Sequence, residues 1–216
     1  VFASLRKLAD VGKIFSMHGP YLPDIASQRD AEAGVEMCSH AAEILAQLDG
    51  KVLTLHASDI PESGDSDSER LEQSCRSLAS IAAFCAKLGI HVAIEHLYPP
   101  YVGRSDLEIL EMIRRIDMAN VGICLDTCHV TPVERVIPAI QSLGPHLLTL
   151  HISDSDDLGE RHWLPGRGMI NWANVIEALR QTDYAGPFMY EVHFESPSVR
   201  EGVSTIEENY RRLMGS

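Results

Sequence analysis

The sequence predicts an α/β protein of the parallel (β/α)8 TIM barrel class, with its first strand missing. Three observations carry that expectation. Short apolar runs alternate with helical stretches from end to end. Each run is apolar almost throughout, as strands covered on both faces must be. The runs also end, one after another, in histidine, aspartate or glutamate. The plainest case is Val121-Gly122-Ile123-Cys124-Leu125-Asp126-Thr127-Cys128-His129, a β-prone stretch closed by a carboxylate and an imidazole.

In chain order, Phe2, Leu5 and Leu8 recur at helical spacing until Gly12 stops the pattern. Lys13 to Met17 predicts a short strand ending at His18-Gly19-Pro20-Tyr21, where glycine and proline force a loop. From about Asp30 to Leu48 the apolar residues fall at helical spacing, and Asp49-Gly50 ends that helix. Val52-Leu53-Thr54-Leu55 then leads to His56. An acidic loop, Asp59 to Glu69, precedes a helix predicted over Arg70 to Leu88; Gly89 stops it, and His91 to Ile94 delivers Glu95.

After the loop YPPYVGRS, Ser105 is the expected N-cap of a helix over Asp106 to Ile116. Beyond the Asp126 strand, a proline-interrupted helix near Val133 to Leu143 leads to Leu147-Leu148-Thr149-Leu150-His151, nearly a copy of the run ending at His56. A polar loop follows, with a weak apolar run at Trp163 and Leu164, then a helix from Trp172 to Gln181. A last strand, Phe188 to Glu191, and a terminal helix with Val203, Ile206, Tyr210 and Leu213 on one side complete the chain.

No linker interrupts this alternation, so residues 1–216 read as a single barrel domain. A complete barrel needs eight strands. About six are clear here, which makes the domain N-terminally incomplete. An unpaired edge invites association, so the expectation is either a fragment of a longer protein or a partner over the gap, with the chain forming a homo-oligomer.

Composition sets further bounds. With 216 residues, 45% hydrophobic and 23% charged, the chain has the balance of an ordinary globular protein. No apolar run is long enough to span a bilayer and no secretory signal is visible, so no membrane partner is expected. A net charge of -13, from 18 basic and 31 acidic residues, argues against nucleic acid as a partner, because such binding depends on excess Lys and Arg. Five cysteines without a framework-like spacing read as reduced thiols and a cytoplasmic location. Cys124 and Cys128 read either as metal ligands or as small buried hydrophobes beside a site.

His18, His56, Glu95, Asp126, His151 and Glu191 each end a separate predicted run. In a closed parallel barrel such ends converge on the face where catalytic groups sit, whereas an open sheet spreads them along a line. Imidazole and carboxylate donors without a thiolate cluster favour Mn, Fe, Co or Zn. A cation would also offset the repulsion among Glu95, Asp126 and Glu191.

Other residues keep two readings. Tyr21, Tyr98 and Tyr101 suit either stacking on a sugar ring or loop packing. His193 shares the strand parity of Glu191, which points it to the pocket or leaves it as a solvated loop residue. Trp163 is equally open, Trp172 reads as core, and His40, His91, His96 and His146 read as structural. Arg104, Arg161 and Arg167 are candidates for holding a phosphate.

Taken together, His18-Gly-Pro-Tyr21, Glu95, Leu125-Asp-Thr-Cys-His129, His151 with Asp154, Glu160-Arg-His162, Pro165-Gly-Arg-Gly168 with Ile170-Asn-Trp172, and Gly186-Pro to Glu191 resemble the xylose isomerase-like barrel superfamily. That group includes sugar and sugar-phosphate isomerases and epimerases, inosose dehydratases, and the endonuclease IV branch, or AP endonuclease family 2. The resemblance implies that Glu95, Asp126, His151 and Glu191 hold a divalent metal cofactor (Mn, Zn or Co). Glu95 and Glu191 would be the catalytic base and acid, and His18, His56, His129, Arg161 and His162 would contact substrate. The reaction so implied is isomerisation or epimerisation of a small sugar, sugar phosphate or cyclitol through an enediolate.

The endonuclease IV branch implies an alternative, a multinuclear zinc phosphodiesterase acting on abasic DNA. There His18, His56, His129, Glu160 and His162 would also be ligands. Three departures weigh against it: Glu160 stands where that branch has aspartate, the loop between His151 and Gly168 is short, and the acidic loop Asp59 to Glu69 repels phosphates. A barrel that binds a ligand without chemistry is the third reading.

Overall fold

The computed structural model describes residues 6–7, 14–60 and 65–215. It divides into two compact units, Val1–Cys124 and Leu125–Ser216.

In the first unit, β1 (Ser16–His18), α1 (Ala31–Gln47), β2 (Val52–Leu55), α2 (Asp67–Lys87), β3 (His91–Glu95) and α3 (Asp106–Ile116) lead into β4 (Val121–Asp126), whose last two residues belong to the second unit. Neighbouring strands are parallel and in chain order, with Ser16 beside Val52, Val52 beside His91 and Val92 beside Val121. All four residues of β2 are buried. That explains why its sequence lacks the alternation of a half-exposed strand. Over these strands, α1 turns Cys38, Ala42 and Leu45 inward and α2 turns Leu78, Ile81, Ala82 and Cys85 inward. Each fully buried leucine, Leu53 and Leu78 among them, contributes about 2 kcal/mol of transfer free energy.

The helix expected from Arg70 begins earlier, at Asp67, because Ser66 and Glu69 form a reciprocal capping box. The Ser66 side chain accepts from the Glu69 N–H, and the Glu69 carboxylate accepts from the Ser66 N–H at 3.0 Å. Ser105 caps α3 as expected, accepting from the Glu108 N–H at 3.2 Å.

The second unit holds a 3-10 turn (Val133–Arg135), α4 (Val136–Leu143), β5 (Leu147–His151), α5 (Trp172–Gln181) and α6 (Val199–Met214). β5 follows β4 in the sheet order, and the Thr127 N–H just past β4 donates to the His151 carbonyl at 3.0 Å. Two expected strands shrink to single bridges. Phe188 to Glu191 makes one parallel bridge, Tyr190 with Ile152, starting only after Pro187, which has no N–H for a ladder. Trp163 pairs antiparallel with Asp154, and Pro165 stops the pairing there. The helix expected over Phe2 to Leu8 and the start of the first strand at Lys13 lie largely outside the described residues, where only Arg6 and Lys7 are seen as helical. No described helix is long and apolar enough to cross a membrane.

The strand ends match the expectation. His18, Glu95, Asp126 and His151 are the last residues of β1, β3, β4 and β5. His56 directly follows β2, and Glu191 directly follows the bridging Tyr190.

Candidate metal centre

In the first unit, His18, His56 and Glu95 each offer a donor atom within 4.8 Å of the others. His18 Nε2 lies 3.0 Å and His56 Nε2 3.5 Å from Glu95 Oε2. The Glu95 carboxylate is almost fully buried while both histidines are part-exposed. A carboxylate at that depth needs compensating positive charge or donors, and the imidazoles stand where they can help supply it. Local folding explains the approach. The Gly19 N–H donates to the Thr54 carbonyl at 2.8 Å, turning the chain directly after His18. A Cβ at Gly19 would lie 2.4 Å from Leu55 Cδ2, so only glycine makes this turn without displacing that side chain. Tyr21 is thereby stacked on His56 at 5.1 Å between centroids. Tyr101 lies edge-on to His56 at 6.4 Å between centroids, with Tyr98 edge-on to Tyr101 at 5.3 Å.

In the second unit, Asp126 is fully buried. Its Oδ1 accepts from the Cys128 N–H at 2.7 Å, which bends the chain as the strand ends. Its Oδ2 faces His129 Nδ1 at 3.8 Å and His151 Nδ1 at 3.9 Å. His151 Nδ1 is in turn 2.8 Å from Glu191 Oε2. Asp126, His151 and Glu191 thus share one locus. Beside it, Asp126, His129 and His162 offer donors within 4.8 Å of one another. Glu160 Oε1 reaches His162 Nε2 at 2.9 Å and His129 Nε2 at 3.4 Å.

Burial opposes protonation of the His162 ring, but the nearby Asp126 charge, the Glu160 contact and the Glu191 carbonyl outweigh it and raise its pKa. His193 joins this row. Its ring lies 5.1 Å from that of His162, and its N–H donates to the His162 carbonyl at 2.7 Å. The parity shared with Glu191 was the sequence signal for it.

Other candidates are placed differently. Cys128 faces backbone: its Sγ accepts from the N–H groups of Arg161 at 3.1 Å and His162 at 3.4 Å, and burial pushes the thiol pKa up. The Arg161 guanidinium grips Asp156 at 2.9 and 3.2 Å and lies over the Trp163 ring at 5.3 Å. Arg104 is bound to Asp67 at 2.6 Å and lies 3.8 Å from Glu108. Both arginines therefore have their charge met by carboxylates before any anion arrives. Of the histidines read as structural, His96 meets Asp106 at 3.2 Å in the interior and His40 meets Glu43 at 3.3 Å on the surface.

The donor chemistry fits a divalent cation. The groups are imidazole nitrogens and carboxylate oxygens, closely spaced and largely buried, with mixed charge suited to Mn, Co or Zn.

Comparison with known proteins adds the lineage. The family model described as "Xylose isomerase-like TIM barrel" matches residues 3–213. An uncharacterized protein of Methanocaldococcus jannaschii is 26% identical over 88% of this chain and 67% of its own length. A D-psicose 3-epimerase of Ruminiclostridium cellulolyticum is 31% identical over 67% of this chain and 46% of its own. A probable endonuclease 4 of Mycoplasmopsis pulmonis is 27% identical over 81% of this chain and 66% of its own. The chain thus spans about half the length of the curated epimerase it matches. Among solved structures, a D-tagatose 3-epimerase-like protein superposes with a TM-score of 0.83 at 26% identity, covering 99% of this chain and 82% of that one.

Proposed function

The chain belongs to the xylose isomerase-like TIM barrel family, and from that premise we propose that it is a divalent-metal-dependent isomerase or epimerase of a small sugar, sugar phosphate or cyclitol. The observation that carries this reading is the meeting of the buried Asp126 and His151 with the part-exposed Glu191 at one locus. These are three of the four ligands we assign. Glu95, the end of β3, is assigned as the fourth from its place in the family pattern.

A Mn, Co or Zn ion held by these residues would supply positive charge to offset the charge left on the sugar when a carbon loses its proton. Glu191 and Glu95 are the proton carriers, one removing the proton and the other returning it. His18, His56, His129 and His162 supply hydrogen bonds to sugar oxygens, and the tyrosines around His56 offer a face for the ring. The similarity to sugar 3-epimerases supports the substrate class. Incubation with a panel of ketoses, sugar phosphates and cyclitols in deuterated water tests the proposal. The expected result is metal-dependent conversion with solvent deuterium on the reacting carbon. No conversion and no exchange across the panel, at saturating metal, would sink it.

A second reading has its own observation. Both units present a cluster of three donors within 4.8 Å, His18 with His56 and Glu95, and Asp126 with His129 and His162. That is more ligand capacity than one ion needs, and it favours a multinuclear zinc phosphodiesterase acting on abasic DNA. Metal counting by mass spectrometry separates the two: about one ion per chain supports the epimerase, while two to three zinc ions support the phosphodiesterase.

A further inference from the structure

We propose that Asp154 is the positioning residue of the arm that carries Glu160 and His162, acting through its hold on the loop Pro165-Gly166-Arg167-Gly168; this rests on reading those two residues as part of the site. Asp154 is fully buried, and its carboxylate is devoted to that loop and its flanks. Oδ1 accepts from the N–H groups of Ser155 at 3.0 Å and Ile170 at 3.1 Å. Oδ2 accepts from the Gly166 N–H at 2.7 Å and the Trp172 indole N–H at 2.9 Å. One side chain thereby gathers the start of the arm, the loop and the first residue of α5 onto a single point.

The backbone closes the same knot. Asp154 and Trp163 exchange N–H to carbonyl bonds of 2.7 and 3.1 Å, and the Met169 N–H donates to the Ser155 carbonyl at 2.8 Å. Gly168 permits the closure, since a Cβ there would lie 2.3 Å from the Ser155 carbonyl oxygen and 2.4 Å from Asp154 Oδ1. Asp154, the two loop glycines and Trp172 are among the motif residues to which the proton chemistry gives no role. The knot accounts for them together.

Its consequence falls on His162, the residue just before the bridge. His162 has a φ of 46°, in the left-handed region, which a non-glycine residue keeps only where its surroundings enforce it. The enforcement comes from the Asp154–Trp163 bridge on one side and the Cys128 thiol, accepting from the His162 N–H, on the other. With the backbone so fixed, His162 Nε2 stands 2.9 Å from Glu160 Oε1. Loosening the loop would let His162 relax and carry its ring out of register. In the multinuclear reading, where His162 is itself a ligand, outer residues that orient a ligand in this way change metal affinity by about tenfold to a hundredfold.

The test compares the wild type with Asp154→Asn, which keeps the shape but turns an amide N–H₂ toward N–H donors, and with Trp172→Phe, which removes one of the four donors. In metal-free protein, long-range ¹⁵N–¹H spectra of the histidine rings should show the His162 signals displaced or broadened in Asp154→Asn, with those of His18 and His56 unchanged. Where His162 serves as a ligand, as in the multinuclear reading, cobalt titration should also show weakening of about tenfold or more and an altered visible spectrum, with Trp172→Phe smaller in the same direction. A merely structural role would lower the melting temperature and leave the His162 signals in place. A folded Asp154→Asn protein whose His162 signals coincide with the wild type overturns the proposal; if that variant does not fold, Trp172→Phe is judged by the same signals. A wild type that takes up no cobalt counts against the proposed function, while the His162 spectra still decide the role of Asp154.

Discussion

His151 Nδ1 stands 2.8 Å from Glu191 Oε2, and the same nitrogen lies 3.9 Å from the buried Oδ2 of Asp126. Glu191 is the most exposed of the three, with 38% of its side chain open, which suits its proposed role of meeting both a cation and a sugar carbon. The Glu191→Gln variant is therefore expected to lower kcat by about a hundredfold to ten-thousandfold, while a sugar analogue still binds at saturating metal. Steady-state kinetics beside calorimetric titration of the analogue checks this. Wild-type turnover in the variant would mean that Glu191 moves no proton.

How far the sequence reveals this arrangement depends on the range of the interaction. Asp126, His151 and Glu95 were legible because an apolar run that stops at an ionisable residue marks a strand end, and parallel topology brings successive strand ends to the same side. The early start of α2 is also written locally, in Ser66 and Glu69, although the acidic run there reads as loop. What could not be read were pairings decided by approach in space. Neither the engagement of Arg161 with Asp156 and Trp163 nor the left-handed backbone of His162 has a signature in residue order. The last predicted strand is shortened for a related reason: Phe188 to Glu191 has strand composition, but only Tyr190 finds a bridging partner.

The ion pair between Arg70 of α2 and Asp24, in the loop after His18, also holds the loop after His56 through Asp59. Arg70, only 2% exposed, donates to Asp24 Oδ2 at 2.9 Å and to the Asp59 carbonyl at 2.7 Å. Asp24 Oδ1 accepts from the N–H groups of Ala26 and Asp59 at 2.9 and 3.1 Å. Removing one partner leaves a buried charge without its counter-ion, so Arg70→Met should cost about 3–5 kcal/mol. Combining it with Asp24→Asn should recover part of that loss. Urea denaturation of the single and double variants measures both, and a loss under about 1 kcal/mol in the single variant would show that the pair does not clamp these loops.

Self-association is expected from α6. Val199, Val203 and Tyr210 are exposed along a helix whose apolar residues, with Ile206 and Leu213 between and beyond them, recur every three to four positions, the spacing of a helix-to-helix seam. Light scattering over a range of concentrations should find a dimer or larger species, and Val203→Glu should shift it toward monomer. A wild-type monomer at every concentration would leave that stripe without the role assigned to it.

The thiols give a pH test that does not involve the metal ligands. Burial pushes Cys38 from 9.0 up to about 12, with Cys85 nearby adding to the effect, and burial alone raises Cys85 to about 11. Burial likewise dominates at Cys75, which also stands at about 11. For an acid whose folded pKa is raised, the native state holds its proton more tightly than the unfolded chain. The resulting stability is fully present below the unfolded value of 9.0 and is lost as pH rises from there toward 11 and 12. Thermal midpoints should therefore show no pH dependence from these thiols between pH 7 and 8 and a decline above 9. At pH 8 a thiol reagent should leave Cys38, Cys75 and Cys85 unlabelled in the native protein and label them rapidly in guanidinium, because the thiolate is the reacting form. Native labelling at the unfolded rate would mean that these three cysteines are not sealed on the buried faces of α1 and α2.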